Sequence, residues 1–256
     1  MPYGKNETGL SSVQSPHGRV LLIDNRIGKA PADETVHTLI GRGGITDGYT
    51  VISDHVAGGT PDCTGGRDFR LHICTFLRPG IHVSRATFLN VIPTLAVCHA
   101  IEANSDYKVG IRWPREIRAG RKRIAEIEFS GKLLPTGYLE ELILHVTIHM
   151  QTNHFPTRME DVVTSVFTNR RISTPDRVAQ TMLKDFFGIY ENMSDAYPAA
   201  LEEYRRRSLL LGRRVFVRIG RRIRRVRAES VDAEGLLHVR LRRGDEAVLA
   251  EETQLL

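Results

Sequence analysis

The chain has 256 residues, 41% of them apolar and 26% charged, with a net charge of +6. That length and balance suit one full-sized domain plus a small one, with a real core, and exclude a disordered or collagen-like chain. No apolar run approaches the roughly 20 residues that a membrane helix needs, so no membrane partner is expected. Residues 1–18 are polar, lack the charged-then-apolar order of a secretion signal, and read as a flexible N-terminal arm. Cys63, Cys74 and Cys98 are odd in number and widely spaced, with no metal or redox spacing. A cytoplasmic chain is the expectation.

In chain order, "GRVLLID" (18–24) reads as a strand and "ADETVHTLIGRG" (32–43) as a short helix ended by Gly41 or Gly43. "YTVISDHV" (49–56) is a second strand and "AGGTPDCTGG" (57–66) a glycine-rich loop. "FRLHICTFLRP" (69–79) is a third strand, apolar on both faces and therefore buried. A helix over 84–103 places Phe88, Ile92, Leu95 and His99 on one stripe, with Pro93 kinking or dividing it. "KVGIRW" (108–113) and "KRIAEIEF" (122–129) pair as strands around Pro114–Gly120, and 138–151 continues the sheet. Two helices follow. One buries Met159, Val162, Val163, Val166 and Phe167. The other buries Val178, Met182, Phe186 and Tyr190, with Thr174-Pro175 as cap and first-turn proline.

The tail changes character. An Arg-rich helix (202–209) leads into period-two alternation with short turns, the pattern of an antiparallel barrel of about five strands. Residues 201–256 hold 14 of the 36 Lys and Arg and 9 of the 30 acids, so most of the excess positive charge sits here. Eleven arginines and no acid lie between 205 and 227, with Phe216 the only aromatic. A solvated barrel face or a docking surface for an acidic protein accounts for this run, and nucleic acid is not the expected partner. "HVTIHMQTNH" offers His145, His149 and His154, but its β-branched residues favour a strand. Four residues along a strand separate the first two histidines by about 13 Å, too far to share one ion, so no metal site is expected.

"GIRWPREI", a turn and "GRKRIAEIEF" resemble the Lys-Trp-Pro-Asn-Asp and Gly-Lys-Lys-apolar-Ala-Gly hairpin of biotin protein ligases. "VISDHVAGG" is similar to the strand that leads into that family's phosphate loop, "LHICTFLRP" to the strand ending Leu-Arg-Pro, and "LGRRVFV" with "VDAEGLLHVRL" to its C-terminal SH3-like barrel. The resemblance implies an α/β fold, a mixed sheet with helices on one side, over 19–208, and an SH3-like domain over 209–256. It also implies the family reaction: biotin and Mg-ATP form biotinyl-AMP, and the biotin passes to a lysine of an acidic carrier domain. Self-pairing of the chain is left open.

Carried over residue by residue, the resemblance assigns Gly58, Arg112, Trp113, Pro114 and Glu116 to ligand binding. Lys122 or Arg123 stands in place of the reactive lysine, depending on which end of the hairpin is counted from. In a strand the two face opposite ways. Arg115-Glu116 replaces Asn-Asp, which puts a cation where Mg²⁺ would need oxygen ligands. Glu126 replaces the close-approach glycine, and His145, Thr147 and His149 replace two glycines and an asparagine. The replacements fall on ligand-facing positions, while Trp113, Pro114, Ile117, Ile124 and Ala125 are kept. The expectation is a family protein with weak or no ligase activity. The alternative is a non-catalytic module, a pseudoenzyme that binds a carrier or another protein.

Overall fold

A computed structural model describes residues 10–54, 69–151, 174–219, 221–241 and 246–249. The elements run β1 (Leu10–Gln14), β2 (Val20–Asn25), α1 (Ala32–Gly41), β3 (Thr50–Ser53), β4 (Phe69–Leu77), a 3-10 segment (Val83–Asn90), α2 (Val91–Asn104), β5 (Val109–Arg112), β6 (Glu116–Ala119), β7 (Lys122–Leu133), β8 (Leu139–Gln151), α3 (Pro175–Tyr190), α4 (Met193–Arg207), β9 (Arg214–Ile219), β10 (Arg222–Val231), β11 (Leu237–Arg240) and β12 (Glu246–Leu249). Eight strands form one sheet in the order β1-β2-β3-β4-β8-β7-β6-β5, and the last four form a second, antiparallel sheet. Among the described strands only β2 and β3 pair parallel, so the large sheet is mixed, as the α/β expectation requires.

Alternation in β4 sets the layers. Leu71, Ile73 and Leu77 enter the main core with α2 and α3. Cys74 and Phe76, on the other side of the strand, enter a smaller cluster with Ala32 and Val36 of α1. Helices therefore lie on both faces, not on one.

Helix α2 is buried nearly all round, so its apolar pattern has no single stripe. Pro93 stands in its first turn, where a missing N–H costs no helical bond. The 3-10 segment ends just before it, so the expected helix is divided there. In α3, Thr174 caps the helix by accepting from the Arg177 amide, with Pro175 in the first turn, as the sequence foretold. The helix expected over Met159 and Val162, and Cys63, fall outside the described residues.

Three further expectations are corrected. Leu10–Gln14 is no loose arm: it pairs with β2 and so covers that strand's open edge. Strand β6 lies between β5 and β7, because Trp113–Arg115 turn tightly enough for Glu116 to pair back onto Arg112. The Arg-rich helix begins at Met193, since Ala200, Leu201 and Tyr204 extend its buried side. Among the described residues of the tail, four antiparallel strands form its sheet.

Candidate functional site

A cleft of about 400 Å³ opens on the α1 face of the sheet, over β4, β8 and β7. Register explains its lining. His72 pairs with Thr147 and Thr147 with Glu126, while Cys74 pairs with His145 and His145 with Glu128. Residues paired across strands share a face, so these six side chains stand in two rows on the floor. Asp33 of α1, Arg70, Phe129, Ser130 and Val146 complete the lining.

The floor is hydrogen-bonded. His72 Nδ1 lies 3.1 Å from Thr147 Oγ1. His145 bridges the other row, with Nδ1 3.2 Å from Cys74 Sγ and Nε2 3.1 Å from Ser130 Oγ. Burial holds His145 below its ordinary range. Burial first, then Arg70, Arg123 and His72, pushes His149 down to about 3. Both imidazoles are therefore neutral at neutral pH. Burial and then Asp33 push the Cys74 thiol up to about 12, so it is a packed thiol and no nucleophile. Among the described residues, no group of three or more His, Cys, Asp or Glu gathers to hold a metal.

The sequence-assigned residues separate. Arg123 stands beside the cleft, where its guanidinium donates to the Glu126 carboxylate at 2.8 Å. Glu126 itself lines the cleft, as do His145 and Thr147. Lys122 opens β7 opposite Ala119 and does not line the cleft. Gly58 lies outside the described residues.

Arg112, Trp113, Pro114 and Glu116 do not line the cleft either. Trp113 is 1% exposed, and its indole N–H donates to the Gly235 carbonyl at 2.9 Å. Tyr204 Oη donates to the Pro114 carbonyl at 2.6 Å. Together they form a seam between the β5–β6 turn, α4 and the second sheet. Glu116 is buried and ion-paired, with Arg118 and with Arg112 at 3.5 Å. The Arg115 guanidinium sits 5.4 Å from the centre of the Phe129 ring.

His72, Cys74, Glu128, Ser130 and Asp33 were missed as site residues. The alternation of β4 already put His72 and Cys74 on one face. Their facing β8, however, is a pairing between strands some 70 residues apart, which no local pattern encodes.

No family model matches the chain, and no curated protein matches it. Solved structures do. Biotin protein ligase from Aquifex aeolicus in complex with biotin and ATP aligns with a TM-score of 0.70 at 14% identity, over 92% of this chain and 97% of that one. A biotin protein ligase-like protein of unknown function from Silicibacter aligns with a TM-score of 0.68 at 13% identity, over 94% and 97%. Biotin protein ligase from Leishmania major in complex with biotin aligns with a TM-score of 0.54 at 16% identity, over 90% and 98%. A likeness this long at so low an identity is one of backbone course and element order. The chain therefore has the biotin protein ligase-like fold.

Proposed function

We propose that this protein belongs to the biotin protein ligase class and has a rebuilt ligand site, so that biotin adenylation and transfer to a carrier lysine are weak or lost. One observation carries the reading. Glu126 lines the cleft where the family hairpin has glycine, and it engages Arg123, the candidate for the reactive cation, at 2.8 Å. Adenylation needs positive donors around an α-phosphate. A phosphate oxygen brought beside the Glu126 carboxylate meets a like charge, and the Arg123 guanidinium that could offset it is already engaged. Glu128 and Asp33 add to that charge. Glu116, the candidate Mg²⁺ ligand, is taken up by Arg112 and Arg118. These residues do not fit Mg-ATP.

Isothermal titration with biotin and with Mg-ATP, alongside labelling of an acidic carrier domain, tests this. No more than millimolar binding and no labelled carrier is the expected result. Micromolar biotin binding together with carrier labelling overturns it.

The ligase-like fold kept around a cleft with altered lining favours a second reading, a carrier- or protein-binding module without catalysis. Its signature is capture of a carrier domain that ATP neither helps nor hinders. Capture that requires ATP rejects it.

A further inference from the structure

The β9–β10 hairpin carries charge that neither the cleft nor the core uses. Its register sets Arg214 opposite Arg227, Phe216 opposite Arg225 and Arg218 opposite Ile223. These six residues share the outer face, where every arginine is exposed. Phe216 is 52% and Ile223 60% exposed between them. On the opposite face Val217 and Val226 are buried, but toward the turn Arg222 and Arg224 are exposed too. The ribbon thus shows cations on both faces.

The described ion pairs of the tail involve Arg205, Arg207, His238 and Arg240, and none involves the six ribbon arginines. Like charges set opposite each other, as Arg214 and Arg227 are, destabilise a sheet. An arrangement that lowers stability and is relieved by an anion points to a polyanionic partner.

We propose that the β9–β10 ribbon binds double-stranded DNA, entering the major groove. An acidic protein surface would neutralise one face of the ribbon. A groove has phosphates on both walls, and the B-form major groove, about 12 Å wide, admits a two-stranded ribbon. Guanidinium groups pair with phosphate in a two-pronged geometry. Phe216 and Ile223 supply apolar contact to base edges and thymine methyls. The proposal stands apart from the cleft and does not depend on the ligase reading.

The test is fluorescence anisotropy of the full chain with a labelled duplex of about 20 base pairs, two helical turns, titrated at several salt concentrations. Binding at low salt should fall steeply with salt, with a logarithmic slope of about −4 to −6 if most of the six arginines meet phosphate. The pairs Arg218→Ala with Arg225→Ala, and Arg222→Ala with Arg224→Ala, each remove two exposed cations from one face. Each should reduce the slope by about 2 and weaken binding tenfold or more, with circular dichroism and the thermal melt unchanged.

Four results overturn the proposal. One is no binding at low salt. Another is a loss confined to one pair, which means one-faced contact. The third is tighter binding to an RNA duplex or a single strand. The last is poly-L-glutamate binding as tightly as the duplex, which marks a face for acidic proteins.

Discussion

Glu126 and Arg123 decide the character of the cleft, because each occupies the other. Both are about one-third exposed, so their mutual stabilisation is small, at most about 1 kcal/mol. What they control is what the floor accepts. Replacing them together, Arg123→Lys with Glu126→Gly, removes the carboxylate and frees an ammonium. Titration calorimetry should then read biotin or Mg-ATP binding at least tenfold tighter than in the parent. No gain locates the block elsewhere in the cleft. Trp113 behaves oppositely. Trp113→Phe removes one buried hydrogen bond and is expected to cost about 1 kcal/mol. Trp113→Ala is expected to cost about 3–5 kcal/mol. Urea unfolding measures both, and ligand binding in the cleft should not change. The tryptophan was legible as part of the family hairpin. Its contact, a carbonyl 122 positions further along, was not.

Helices α2, α3 and α4 meet at His99. Its Nδ1 lies 3.0 Å from Asp185 of α3, and its Nε2 2.9 Å from Glu203 of α4. Arg207 of α4 bonds Glu203 and also Glu102 of α2, which Lys108 approaches at 4.0 Å. The Asp185 bond leads in holding His99 above its ordinary 6.5, with Glu203 assisting against burial. A raised histidine contributes stability that is full below 6.5 and is lost as pH rises through the folded value. Thermal melts across a pH series should therefore show a wild-type advantage over His99→Gln that shrinks upward from pH 6.5. An advantage that grows with pH contradicts the linkage. At the acid end, burial raises Glu203, but its bonds to His99 and Arg207 outweigh that and hold it below its ordinary range. Its contribution is lost only as pH falls below the carboxylate range. In β7, a Cβ at Gly131 would stand 2.7 Å from the Glu141 backbone oxygen. Backbone cannot swing aside, so Gly131→Ala is expected to destabilise by about 1–3 kcal/mol in the same urea assay. His99 was legible only as part of an apolar stripe, since its partners lie 86 and 104 residues away.

At the scale of the molecule, the two sheets share one core. Val217, Val226, Ala228 and Leu237 of the second sheet belong to the same buried cluster as Trp113 and Ile111 of the first. Tyr197 and Arg205 of α4 reach the Ala233 and Val231 carbonyls, at 2.8 and 2.7 Å. A chain ending at residue 208 would expose this cluster and strand those polar groups. It is expected to lose cooperative unfolding and to aggregate on size-exclusion chromatography. A monomeric, cooperatively folding fragment would instead make the second sheet a mere attachment.

Local pattern was enough to place most strands and helices, because period-two and 3.6-residue burial are written residue by residue. The hairpin around Trp113 and the order of segments were enough to indicate the fold, which the solved structures then matched. Pairing across long separations was decided only in three dimensions. That pairing put β8 against both β4 and β7, gathering His72, Cys74, Glu126 and His145 into one cleft. It also turned Trp113 into a seam and spread the arginines of the tail over two faces of a ribbon. Contacts of this kind depend on which strands become neighbours when the whole core closes, and no short stretch of residues carries that information.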